Sequence, residues 1–367
     1  MSGVVNRVQA RIQQVEPRAQ YVHCANHLLN LALQNATNES HLLRTAMEIA
    51  HEVAKMFAES AKRTDMLYSA AKELDVIPAS VPMFCATRWV AREATLKGIL
   101  VMYGPIMSCL EEIADGDSWR GQDVAVKAAG LLANMKKTTT YFGLLVARTV
   151  LGACEDLATA LQSSSLLFPE VDSALVVLQA QLTKMEGKFM DELWKTAKKV
   201  ETELSLQEPS PRRARQPTPK TQERGAVADS EMPVSERAVN DGKVAIQKVC
   251  KHIHARFTSD GFKFVTRANR VLLAAAKEED VDTEDVKQIV IYLRDDLDID
   301  KFTRHLHNLA SIRSKDHPLN SKDLSVDEII DAVVDLDAVA RAMISEVEKF
   351  WSPSPHRQPP LKGASLP

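Results

Sequence analysis

Hydrophobic residues recur every three or four positions over most of the chain, a spacing that is typical of amphipathic helices. One such stripe follows Ser40, whose side chain is suited to cap a helix N-terminus. The stripe consists of Leu42, Ala46, Ile49, Val53 and Met56. We expect one long helix here that ends near Asp75.

A second stripe has alternating steps of four and three, as expected for a helix packed lengthwise on another helix. Its members are Val171, Leu175, Leu178, Leu182, Met185 and Phe189. Further helical patterns cover residues 244–257, 284–293, 301–312 and 325–351, and the last begins with a Ser325-x-x-Glu328 capping box. Together these patterns predict a mainly α-helical bundle.

Two short segments interrupt the helical pattern with strand-like residues. Tyr21 and Val22 precede a helical stretch, and residues 81–89 (VPMFCATRW) follow Pro78 and include Pro82. We expect two short strands at these places.

Residues 205–240 read as a disordered linker, and residues 352–367 as a disordered tail. Within the linker, residues 208–233 contain five prolines and almost no large apolar side chain. Such a segment cannot bury enough surface to offset the entropy lost on ordering.

The composition agrees with helices, since aromatic residues make up only 5% of the 367 residues and there are only 13 glycines. The net charge of −3 excludes a strong overall field for nucleic acid or membrane. Five scattered cysteines favour a reducing compartment. No apolar run is long enough to span a bilayer, so we expect an intracellular protein with no membrane partner.

Cys24 and His27 have the spacing of a zinc-ligand pair, but two ligands do not make a tetrahedral site. The nearest residues that would complete one are Cys250, His252 and His254, far downstream. We therefore favour a buried structural turn and expect no metal or other cofactor. His305 and His307 point to different faces of a helix and fit a solvated or half-buried pair.

Arg88 beside Trp89 would suit a phosphate contact and base stacking, although a core tryptophan next to an exposed arginine is the favoured interpretation. A basic cluster, Arg212, Arg213 and Arg215, lies in the linker. It would serve as a solvated segment, a nuclear-import signal or a weak DNA tether.

Three segments, in this order, resemble the hAT-type DNA transposases and the proteins derived from them, in particular the branch related to the zinc-finger MYM-type proteins. They are residues 1–36, with Cys24-x-x-His27; residues 85–96, with Thr87-Arg88-Trp89; and residues 153–199, with Ala160-Leu161-Gln162. The resemblance is weaker over residues 244–351.

The resemblance implies an RNase H-like α/β core interrupted by a helical insertion domain. On this basis residues 1–108 are a partial core, 109–204 the first half of the insertion, and 241–351 its second half. The family cleaves and joins DNA with divalent metal ions held by three carboxylates. The resemblance also implies a structural role for the Cys24 and His27 pair. It implies that Arg88 and Trp89 lie near the catalytic pocket of the family's core.

The family's two aspartates would fall before Met1, and its glutamate motif is missing. Ser235-Glu236-Arg237 is similar to that motif, but it lies in the predicted linker, so we do not assign it the role. We therefore expect a catalytically inactive, domesticated relative or fragment in the nucleus, with no small-molecule substrate. Its expected activity is protein binding or homo-oligomerisation, and the alternative is weak residual DNA binding.

The residues first expected to bind a protein partner are Leu178, Leu182, Met185 and Trp194. The same residues would also suit the interior of the bundle.

Overall fold

The computed structural model describes residues 8–15, 24–84, 92–161, 168–208, 233–293, 297–312 and 324–351. These residues form helices joined mostly by short turns, and the described part contains no β-strand. The α-helices are α1 (Val8–Val15), α2 (Ala25–Glu39), α3 (His41–Ala58), α4 (Ala61–Glu73), α5 (Glu93–Val101), α6 (Tyr103–Asp115), α7 (Asp123–Met135), α8 (Thr138–Ala160), α9 (Phe168–Lys184), α10 (Met190–Glu203), α11 (Val234–Phe257), α12 (Asp260–Ala276), α13 (Thr283–Leu293), α14 (Ile299–Leu309), α15 (Val326–Val334), α16 (Ala338–Ala342) and α17 (Ser345–Trp351).

The mainly α-helical class predicted from the sequence is confirmed. The predicted strand at Tyr21 and Val22 lies outside the described residues, as do residues 85–91 of the other one. Residues 81–84 are described and belong to no strand. The RNase H-like fragment therefore stays a prediction.

The helix predicted from Ser40 to Asp75 is two helices. Ser40 caps α3 as expected, since its hydroxyl accepts from the Leu43 N–H over 3.4 Å. The prediction of one continuous helix was wrong. Ser60 has extended backbone angles, φ −150° and ψ 116°, and its hydroxyl caps α4 by accepting from the Arg63 N–H. A second capping serine thus ends the first helix at Ala58.

The chain divides into two compact units. The large unit contains the described residues of Ala25–Gln162 and Ala174–Arg256, and the small unit those of Met1–Cys24, Ser163–Ser173 and Phe257–Pro367. The domain division expected from the resemblance stays a prediction.

In the large unit, α8 is the central helix and packs against α3, α5 and α10, while α6 packs against α4 and α7. Tyr103 links the two groups. Its ring meets that of Tyr141 of α8 edge to face at 4.8 Å, and its hydroxyl donates to the Met135 carbonyl at the end of α7 over 2.7 Å.

An extended segment, residues 76–84, lies across α5 at Gly98. A Cβ atom on Gly98 would lie 2.1 Å from the Ser80 carbonyl oxygen, so only glycine allows this approach. The Thr95 hydroxyl donates to the Pro82 carbonyl over 2.9 Å, and the Ala79 N–H points to the Met102 sulfur at 3.4 Å. These contacts fix the segment on the helix.

Residues Met185–Phe189 join α9 to α10 through a kink, because Gly187 has non-helical backbone angles, φ −84° and ψ −137°. The predicted stripe is buried at Leu175, Leu178 and Leu182, but Phe189 is exposed. The buried positions continue instead at Met190, Trp194 and Ala197. The kink at Gly187 interrupts the helical periodicity, so the buried stripe continues one position later than its spacing predicts.

In the small unit, α12 packs against α13, α14 and α15, and α14 packs against α17, around a core that includes Phe302, Leu306 and Ile329. The Ser325 and Glu328 capping box is confirmed. His305 is half-buried and its Nδ1 accepts from the Glu346 N–H over 3.1 Å, whereas His307 is exposed, as predicted.

A buried carboxylate joins α12 to α13 in the small unit. Asp285 lies 3.3 Å from Nε of Arg267 and 2.7 Å from Nη1 of Arg270. Arg270 also lies 3.5 Å from Asp172 at the start of α9. Two guanidinium groups therefore neutralise the carboxylate of Asp285, which is buried away from water.

The predicted linker was too long at both ends. Leu206 is buried, and the Gln207 N–H donates to the Lys136 carbonyl over 2.6 Å. Helix α11 begins at Val234, and Ala238 and Val239 in its first two turns are buried. Residues 209–232 and 352–367, which include the rest of the linker and the tail, lie outside the described residues.

Candidate functional site

A groove with a volume of about 580 Å³ lies between α10 and α11 in the large unit. Its lining combines apolar, amide, hydroxyl and charged groups. The lining residues are Asp191, Trp194 and Lys195 of α10 with Ser235, Glu236, Val239, Asn240 and Lys243 of α11.

Trp194 and Val239 supply the apolar part of the groove, each with 9% of its surface exposed. The indole of Trp194 meets the ring of Phe142 of α8 edge to face, with centroids 5.2 Å apart. This contact anchors the indole on the central helix. One edge of a fixed aromatic ring thus remains available to a ligand.

Gly242 sets how closely α11 approaches its neighbours. A Cβ atom at this position would lie 2.6 Å from the Met190 sulfur and 3.2 Å from the Phe142 ring. Because Gly242 has no side chain, α11 can pack closely against both α10 and α8.

The two helices run antiparallel. Gln247 of α11 donates to Glu186, just before α10, over 3.1 Å, and Gly242 lies beside Met190. Counting along both helices from these contacts places Asp191 near the level of Lys243, and Lys195 near the level of Glu236. Each end of the groove therefore carries one acid and one base.

None of these four charged side chains forms an ion pair or hydrogen bond with another described residue. Other charged groups of the large unit do pair, as Arg148 does with Glu93 at 3.0 Å. The groove is thus bordered by four charges that have no partner in the described part of the chain, Asp191, Lys243, Glu236 and Lys195, which we call the rim.

Beyond the groove, α11 is held to the C-terminal end of α2. Lys248 donates to the Glu39 carbonyl over 2.7 Å, and the Glu39 carboxylate lies 3.6 Å from Lys251 and 3.0 Å from His252. Partial desolvation opposes ionisation of Glu39, but the charges and hydrogen bonds of His252 and Lys251 outweigh it and lower its pKa. A cation at the last carbonyl of α2 also complements the helix dipole.

Two cysteines of the large unit are buried and unreactive in character. Burial, with Glu112 and Glu73 nearby, raises the pKa of the Cys109 thiol to about 11. Burial and the neighbouring Cys250 raise that of Cys154 to about 12. A thiol held protonated is a poor nucleophile and metal ligand, so these residues serve packing.

Cys24 and His27 lie immediately before and in the first turn of α2, and both are exposed. The buried turn expected for this pair was therefore wrong. Within the described ranges, no group of three or more His, Cys, Asp or Glu side chains is placed to hold a metal ion.

The proposed DNA-contacting residues are Arg88, Trp89, Arg212, Arg213 and Arg215, and all of them lie outside the described residues. The DNA-binding alternative stays a prediction.

Leu178, Leu182 and Trp194, expected to be candidates for partner contact, are 2%, 0% and 9% exposed. The first two belong to the interior because their stripe packs inside the chain. Met185 is half-buried at the start of the kinked segment, so among these residues Trp194 alone reaches the groove.

Sequence reasoning missed Glu236 and Val239 as site residues because residues up to 240 were placed in the linker, and it gave Lys243, in the helical region that follows, no role. A signal was present. Pro233 directly precedes Val234, a place where proline favours the start of a helix. The apolar spacing of the following residues also extends back from Ile246 to Val239.

A comparison with models of known protein families gave no match for the chain, and none was found among solved structures. In the described part of the chain, no helix has both the length and the apolar content needed to cross a bilayer.

Proposed function

We propose that the chain is a transposase-related interaction module that acts by binding protein and not by turnover. The resemblance to the hAT-type transposases and the zinc-finger MYM-type branch, with its partial RNase H-like core, is part of this proposal. The basic cluster of Arg212, Arg213 and Arg215 supports a nuclear location.

The observation that carries the proposal is the groove between α10 and α11. A fixed, nearly buried tryptophan at the centre of a concave surface is the usual form of a binding hot spot. The surrounding charges add selectivity, since a partner with like charges opposite them is rejected. The fitting ligand is a helical protein surface with one apolar anchor and flanking charges of both signs.

A photo-crosslinking amino acid in place of Asn240, at the exposed edge of the groove, tests the proposal in cells. Val126 of α7, which is 75% exposed, provides a control position outside the groove. We expect a discrete cross-linked protein from the first position and not from the second.

The cross-linked protein must then bind the purified full chain directly. The variant Lys195→Glu/Lys243→Glu should weaken that binding at least about tenfold, because it reverses half of the rim. Circular dichroism verifies that the variant is folded. Identical products from Val126, no product from Asn240, or binding that this variant leaves unchanged would refute the proposal.

A further inference from the structure

The signs of the rim charges alternate around the groove. The antiparallel register places Asp191 across from Lys243, and Lys195 across from Glu236. Along each helix the sign also changes, from Asp191 to Lys195 on α10 and from Glu236 to Lys243 on α11. Around the groove, acidic and basic side chains therefore alternate in the order Asp191, Lys243, Glu236 and Lys195.

Four charges that alternate in this way have a particular property under twofold rotation. When one copy is turned over about an axis that lies in the plane of the groove mouth and runs parallel to the helices, each acid comes to face a base. Asp191 then faces Lys243 of the second copy, and Lys195 faces Glu236 of the second copy. By symmetry both contacts occur twice.

We propose that this groove is the contact between two copies of the chain, which form a twofold-symmetric homodimer. The two antiparallel helix pairs meet as a four-helix arrangement, with Trp194 and Val239 of both copies at its centre. The proposal rests on the binding function proposed above and names its partner.

Two features favour a second copy over an unrelated protein. All four rim charges are unpaired within the described part of the chain, and all four gain an opposite charge in this arrangement. The apolar centre is small and enclosed by charges, so a ligand without the same alternation would place like charges opposite one another.

Charge exchange tests the dimer directly with the full-length chain. Lys195→Glu/Lys243→Glu makes the whole rim acidic, and Asp191→Lys/Glu236→Lys makes it basic. We expect wild type to sediment as a dimer. For each double variant, the dimer dissociation constant should rise on the order of a hundredfold or more, because attractive contacts become repulsive. An equimolar mixture of the two variants should form a heterodimer again.

A matched control carries the same change in net charge elsewhere. Lys72→Glu/Lys127→Glu replaces exposed lysines of α4 and α7 and should dimerise as wild type does. Circular dichroism and thermal melts confirm that each variant is folded. Added salt should weaken the wild-type dimer, since the rim pairs are partly exposed.

The outcomes separate this inference from the proposed function. A monomeric wild-type chain, dimerisation unaffected by either rim variant, or a mixture that fails to form the heterodimer would overturn the homodimer. If the crosslinker at Asn240 then captures a different protein whose direct binding depends on the rim, the binding function stands and only the homodimer fails. A monomer without any rim-dependent partner refutes both.

Discussion

The close approach of residues 76–84 to α5 makes Gly98→Ala a strong perturbation. The new methyl carbon would lie 2.1 Å from the Ser80 carbonyl oxygen and 3.0 Å from its carbon. Both are backbone atoms, so no side chain can rotate away. Real contacts of this kind are longer by roughly 1 Å, and the segment must move away by that distance.

Moving the segment breaks the contacts that hold it. The hydroxyl of Thr95, a fully buried residue, would lose its acceptor at Pro82, which costs about 1–3 kcal/mol. Steric strain adds about 1–3 kcal/mol. Alanine recovers about 1 kcal/mol because it favours helix more than glycine does. We expect Gly98→Ala to lower the free energy of unfolding by about 2–4 kcal/mol.

Gly130→Ala is the matched control, since Gly130 is also within a helix, α7, and no atom lies within 4 Å of its added Cβ. It gains the helix propensity without the clash and should raise stability by up to about 1 kcal/mol. Urea unfolding followed by circular dichroism measures both variants, and hydrogen exchange over residues 76–84 localises the effect. Equal stabilities of the two variants would refute the steric reasoning.

Three further predictions concern buried groups. Tyr103→Phe removes the donor to the Met135 carbonyl, and we expect the free energy of unfolding to fall by about 1–2 kcal/mol in urea titrations. Asp285→Asn removes the charge that its two arginines neutralise, so the small unit should lose about 1–3 kcal/mol in thermal unfolding, as the arginines remain partly solvated. In a Cys85→Ser background at pH 8, a chromogenic disulfide reagent should modify exposed Cys24 rapidly, whereas Cys154, whose pKa burial raises to about 12, should react only after denaturation.

Controls for these variants use exposed residues of the same kind. Tyr68→Phe, at a tyrosine that is 37% exposed, should change stability by less than about 0.5 kcal/mol. Asp280→Asn, at an exposed aspartate near the start of α13, should also change the stability by less than about 0.5 kcal/mol. Losses equal to those of the buried variants would contradict the assigned contacts. Fast native modification of Cys154 would show that α8 is not the closed interior described above.

The sequence predicted helices well where apolar spacing and capping residues agreed, as at Ser40 and at the Ser325 and Glu328 box. It failed at Ser60, because a hydroxyl residue within an apolar stripe has the same pattern whether or not it caps a new helix. The start of α11 was missed for a related reason. Its first turns are polar on the groove side, and a polar segment after prolines resembles a linker.

The candidate site depends on partners that are distant in sequence. Trp194 was recognised as an unusual residue, but its position in a groove depends on Phe142 and on the close approach allowed by Gly242. The alternating rim depends on the register between α10 and α11. No local spacing encodes that register, because the hydrogen bond that fixes it joins residues 61 positions apart, Glu186 and Gln247.

The kink at Gly187 also decides which side chains of α10 are buried. The backbone angles of this residue, φ −84° and ψ −137°, are not helical, so the periodicity of α9 does not carry over into α10. Phe189, the next position of the α9 stripe, is 38% exposed, whereas Met190 and Trp194 are buried. A change of backbone direction at one glycine thus sets the face that α10 presents beside α11.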